Sequence, residues 1–197
     1  MSNILPTIVI GAVVTACLAA DVHSAIGARK NVLESGSSGE SVELYKQILS
    51  NTLPPDTEID ITLPNVRKSA FASQTNLKKL TIRGVTSIAQ ANEYFIQGSS
   101  VEELVMPDVT SWYHFVLWGT PSLKILRVPK VKSITNMCYI GTSALTDVFI
   151  DESTCAEILA MPGFPGMTPS NNSNYANVVF HGSDGNVVYN GTAWVKE

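Results

Sequence analysis

Cysteine is scarce in this chain: three in 197 residues, Cys17, Cys138 and Cys155, too few for a disulfide framework and with no C-x-x-C spacing. Such isolated thiols behave as small hydrophobes. Histidine is equally rare, and His23, His114 and His181 stand in three separate regions, none in a metal-ligating spacing. Basic charge is also short. Lys and Arg total 13 against 17 Asp and Glu, net −4, which argues against the basic face of a duplex nucleic-acid binder. There is no G-x-S-x-G elbow and no phosphate-binding glycine loop. Asp151 and Glu152 sit where a helix is expected to begin, and favourable interaction with the helix dipole explains them. A nucleophile, a base and an orienter cannot be assembled. The expectation is therefore no enzyme, no cofactor and no metal. Charge is missing altogether from residues 1–20.

What is present is a repeat. One phrase returns four times: LKKLTI from Leu77, VEELVM from Val101, LKILRV from Leu123 and LTDVFI from Leu145, at intervals of 24, 22 and 22 residues. A period of this size is the mark of a solenoid, in which each unit supplies one short strand and stacked units bury a continuous core. Further positions recur in register. Val85, Val109 and Val131 follow the strands, then Ile88, Trp112 and Ile134, and Phe71, Phe95, Leu117 and Tyr139 precede the next strand by six residues. Each unit thus has five inward positions in fixed order. Ile61–Phe71 fits the same order as an earlier unit. Pro107 and Pro129, which have no N–H, follow strands and end their pairing. Strands are predicted near 79–83, 103–106, 125–128 and 147–150, parallel in one curved sheet.

Over residues 61–150 this pattern resembles the bacterial surface-protein (BspA-like) type of leucine-rich repeat. Ala70, Phe71, Leu77, Leu80 and Ile82 match that consensus directly. The chain departs from it where the family has Cys, carrying Gln74, Gly98, Thr120 and Thr142 instead. The resemblance implies a binding or structural surface rather than a chemistry. The fold class expected is α/β: a leucine-rich-repeat solenoid with a parallel β-sheet, an N-terminal helical segment and a C-terminal β-hairpin cap.

Three segments follow: 1–53, 54–150 and 151–197. In the first, Ile4–Ala20 is a run of 17 residues rich in Ile, Val and Ala. Three readings fit it. It could be an apolar helix or strand buried against partner subunits, and this assembly reading points to Ile4, Leu5, Ile8, Ile10, Val13 and Val14. It could be a signal or lipoprotein segment ending at Cys17, although the basic start is missing. It could be a membrane span at the short limit of about 17 residues, the reading least expected. Two short helices should follow, Asp21–Leu33 and roughly Glu40–Ser50, around a Gly/Ser turn at 36–39. This small unit resembles a segment of bacteriophage virion proteins that precedes fibre or adhesin modules. From 151 onward the period stops. A short helix should begin at Asp151 and stop at Pro162, a Gly/Pro/Asn/Ser-rich loop should follow, and the Asp184-Gly185 and Asn190-Gly191 turns predict a three-stranded meander over 178–195. Such a cap would cover the last apolar layer.

On the outward side of the strands stand Lys79, Thr81, Arg83, Glu103, Val105, Arg127 and Phe149. With neighbouring strands about 4.8 Å apart, Lys79 should lie beside Glu103, and Thr81, Val105, Arg127 and Phe149 should form a row. A second candidate surface is Tyr113, His114 and Trp118, aromatic positions that the repeat does not fix. The functional expectation is a phage fibre, spike or decoration subunit, located in the virion. Its partners would be other virion proteins, copies of itself (a trimer, from the resemblance), and a host-surface protein or glycan. The alternative is an exported bacterial surface adhesin or lipoprotein.

Overall fold

The structure, a computed structural model, describes residues 7–13 and 46–197, apart from 64, 65, 67, 90–93, 114, 115, 135–138 and 140. The expected helix at 21–33 lies outside these residues. The helix expected to end at Ser50 is represented by helical residues 46–50.

Strands appear in chain order as β1 (Thr7–Val13), β2 (Thr57–Thr62), β3 (Leu77–Arg83), β4 (Ser87–Ile88), β5 (Glu103–Val105), β6 (Ser111–Trp112), β7 (Ile125–Arg127), β8 (Ser133–Ile134), β9 (Asp147–Phe149), β10 (Val179–Gly182), β11 (Gly185–Tyr189) and β12 (Trp194–Lys196). Nine of them form one sheet in the order β1-β2-β3-β5-β7-β9-β10-β11-β12. Pairing is parallel from β1 through β10 and antiparallel along β10-β11-β12. The four expected repeat strands are where the period puts them. The chain is a parallel β-solenoid that ends in an antiparallel meander.

Period-2 alternation decides which face each strand buries. Leu80, Leu104, Leu126 and Val148 are fully buried, while their neighbours Lys79, Glu103, Ile125 and Asp147 face out. All the recurring positions named above are buried and join one core that runs from Ile48 to Val187. No repeat closes this core alone; each rung covers the one before it.

A second sheet was not expected. The T-S-I, T-S-W and K-S-I phrases, read as turns, pair in parallel as β4-β6-β8. Ser87 and Ser111 share a hydroxyl hydrogen bond at 2.9 Å across it. The chain doubles back after each main strand, and these two-residue segments meet their own copies one turn later.

Buried polar groups are handled by the same repetition. Thr120 Oγ1 donates to the Leu117 carbonyl and Thr142 Oγ1 to the Tyr139 carbonyl, each at 2.8 Å. In the longer 24-residue unit this role falls to Ser99, which donates to Ile96, rather than to Gly98. Gly98 instead takes a left-handed φ of +65°, where glycine is free of the Cβ penalty. Gln74 opens the column by donating to Ile48, and Asn172 closes it by donating to Thr142 Oγ1 at 2.9 Å.

The C-terminal expectation needs two corrections. The helix runs Cys155–Leu159 and begins at Thr154, not at Asp151. Thr154 and Glu157 make a reciprocal capping box, which satisfies the end N–H groups more directly than the acidic pair could. The meander also does more than cover the last repeat. Its first strand, β10, adds in parallel to β9, so the solenoid gains one further rung before the chain turns antiparallel.

Candidate binding face

The outward side of the large sheet holds a depression of about 330 Å³ lined by Glu58, Ile59, Asp60, Lys79, Thr81, Arg83, Glu103, Val105 and Arg127. Strands β2, β3, β5 and β7 bring these residues together from positions about 20 residues apart. The expected ladders are present: Lys79 is in register with Glu103, Thr81 with Val105, Val105 with Arg127, and Arg127 with Phe149.

Charges on this face are paired across strands. Glu103 accepts from Lys79 Nζ at 3.0 Å through one carboxylate oxygen and from Arg127 Nε at 2.8 Å through the other. Burial pushes its carboxyl up, but the hydrogen bonds from Arg127 and Lys79 outweigh burial and leave it below the ordinary value. Arg83 grips Asp60 with two nitrogens, at 2.9 and 2.8 Å, and is held further into its charged range by that bond. Val105 and the aliphatic part of the strand surface floor the depression between these pairs.

Beyond Arg127 the face continues as a stack. The Arg127 guanidinium lies 4.0 Å from the Phe149 ring centroid, and the His181 ring stacks on Phe149 at 4.2 Å and 12°. Since β9 lies between β7 and β10, the two cover opposite sides of the Phe149 ring. His181 Nε2 meets Asp147 Oδ1 at 2.8 Å and Nδ1 meets Asn186 Oδ1 at 2.9 Å. Burial raises the Asp147 carboxyl, yet bonds from Thr146 and His181 bring it below its usual range. Both ring nitrogens of His181 are engaged, so the His–Asp pair keeps no nitrogen turned toward a substrate.

Thr81 needs a correction. It faces outward as expected but is only 5% exposed, enclosed by the longer side chains of the flanking ladders. The residues missed in the sequence are Glu58, Ile59 and Asp60 of β2, and His181 of β10. The alternation in TEIDIT (Thr57–Thr62) was a usable period-2 signal. His181 had none, because only the pairing of β10 with β9 puts it in the row.

Tyr113 and Trp118 are 37% and 40% exposed in the connection between β6 and β7, away from the depression. Trp118 packs against Tyr94 at 5.3 Å, and Lys68 Nζ lies 5.0 Å from the Tyr94 ring. His114 lies outside the described residues. Of the assembly candidates, Ile8, Ile10 and Val13 fall in β1, whose backbone pairs with β2; Ile4, Leu5 and Val14 lie outside the described residues. Among the described residues no cluster of three His, Cys, Asp or Glu could hold a metal, and no helix is long and apolar enough to cross a membrane.

Comparison with protein-family models, curated proteins and solved structures found no match.

Proposed function

We propose that this chain is a non-catalytic structural and binding protein of the leucine-rich-repeat type, a bacteriophage fibre, spike or decoration subunit that offers its sheet face to a host-surface protein or glycan. The observation that carries the reading is the face itself. A rigid, multi-rung sheet backed by a continuous core displays an open depression whose charged side chains brace one another rather than converge on a reacting atom. Rigid placement lowers the ordering cost of binding and favours recognition. Support for the virion comes from the sequence resemblance of residues 21–53, which lie almost wholly outside the described residues. The assembly role of residues 1–20 belongs to the same proposal.

Two measurements test it. Mass spectrometry of purified particles should find the chain among the structural proteins; recovery only from bacterial envelope fractions would favour the exported-adhesin reading. Fluorescently labelled protein should decorate host cells, and Arg127→Glu should abolish decoration while Glu152→Lys, off the face, should not. Equal decoration by both variants would remove the sheet face as the binding surface.

A further inference from the structure

Arg127 is held but not satisfied. Its Nε donates to Glu103 and its flat face rests on Phe149, yet among the described residues its terminal nitrogens have no partner, and the side chain is 40% exposed. A guanidinium fixed in this way has already lost rotamer freedom, and its open fork matches a carboxylate. Lys79 stands on the other oxygen of the same Glu103 carboxylate. Glu103 thus neutralises Lys79 and fixes Arg127, and the unused donors are those of the Arg127 fork.

Across the depression from Arg127, three strands away, stands Glu58 of β2. Glu58 is in register with Lys79 but makes no ion pair among the described residues. From β2 to β7 is three strand spacings, about 14 Å. An extended polypeptide advances about 3.3 Å per residue and returns to the same side every second residue, so positions four apart are about 13 Å apart on one side.

We infer that the sheet face binds an extended polypeptide of mixed charge, with a carboxylate seated on Arg127 and a Lys or Arg four residues away seated on Glu58. This rests on the reading that the face binds a partner, and names the partner's chemistry. A uniform polyanion fits poorly, because Glu58, Asp60, Glu103 and Asp147 share the face. A sugar ring would find no bare aromatic platform, since Arg127 and His181 cover the two sides of Phe149.

The probe is an end-blocked heptapeptide, Thr-Lys-Thr-Val-Thr-Glu-Thr, titrated into the isotope-labelled full chain and followed by NMR. Shifts are expected at the Arg127 side-chain Nε–H and at β2 amides. Replacing the peptide Glu by Gln should weaken binding roughly tenfold, as should Arg127→Gln in the protein, with Arg127→Lys in between. Glu58→Gln tests the other seat: it should weaken this peptide but leave a peptide with Gln in place of Lys unaffected, and it serves even where an Arg127 variant fails to fold. Equal affinity for the Glu and Gln peptides, or shifts confined to other surfaces, would overturn the inference. If it fails while Arg127→Glu still abolishes cell decoration, the broader reading stands; if decoration is also unchanged, both fall.

Discussion

The rungs from Leu77 to Ile150 and the segment from Asp151 to Glu197 share one sheet and one core, yet they are specified in different ways. In the rungs each solution is used again. The backbone bonds Glu102 to Lys78, Lys124 to Glu102 and Thr146 to Lys124 are the same bond made three times. In the terminal segment β10 repeats that bond once more, from Val179 to Thr146, and the remaining ties are particular ones. Asp184 at the β10-β11 turn accepts from the Cys155 N–H at 2.6 Å and pairs with Lys196 of β12 at 2.6 Å, so it ties a helix start and two strands together. The bond from Lys196, followed by those from Cys155, holds the Asp184 carboxyl far below its ordinary value. Trp194 donates to Tyr175 at 2.7 Å and sits among Phe164, Phe180, Tyr175 and Tyr189. Repetition makes the rungs tolerant in design but dependent on every neighbour; the end segment depends on a few particular side chains.

The largest expected effect breaks a rung. Leu104 is fully buried at the centre of the stack. Leu104→Asp strands a charge there at a cost of several kcal/mol, and the chain should not fold. A soluble Leu104→Asp protein with a cooperative melt would show that rungs are less interdependent than argued. Next comes removal of residues 167–197. It would uncover Tyr139, Val148 and Ile150, all fully buried, and the expected result is aggregation on size-exclusion chromatography. A monodisperse truncation with an unchanged Tm would mean that the end segment covers nothing essential.

Gly84 tests the repeat backbone at smaller scale. Its φ is +82°, and an added Cβ would lie 2.9 Å from the Leu63 carbonyl oxygen of the preceding rung. Gly84→Ala should therefore cost about 1–3 kcal/mol in urea unfolding. A cost near zero would show that neighbouring rungs shift apart freely. Thr154→Ala probes the end segment instead. Loss of its cap should cost about 1 kcal/mol, with faster hydrogen exchange at 155–160 and none added at β5. Exchange rising equally in β5 would place both regions in one unfolding unit.

Acid should give the mildest graded response. Glu103, on a rung, and Asp147, beside His181 of the end segment, are both depressed in the folded chain. Each contributes stability that is present above its unfolded pKa and lost as pH falls through the folded one. Stability should hold at neutral pH and decline as pH drops below about 4, near the ordinary carboxylate values. Glu103→Gln should flatten that decline; an unchanged pH profile would show that solvent screens the Lys79–Glu103–Arg127 trio.

The rungs were legible because a period constrains several positions at once. Leu77, Leu80, Ile82, Val85 and Ile88 recur with their partners, so strand identity, inward face and the ladder neighbours Lys79, Glu103, Val105 and Arg127 all followed from spacing. The meander was legible from its turn dipeptides alone. Two features were not. The β4-β6-β8 sheet consists of two-residue strands, too short to show alternation. Ser99 took the buried hydroxyl role because a 24-residue unit shifts the loop by one position, which no consensus spacing reveals.

By itself the sequence determined which side chains enter the core and the order in which rungs stack, because burial of apolar residues at a fixed period admits one register. Only the tertiary structure decided that β10 pairs in parallel with β9 and that His181 completes the row beyond Phe149. That pairing joins segments with no shared period. Which edge a strand finds depends on the backbone N–H and C=O groups the folded stack leaves open, and local residue pattern does not encode that choice.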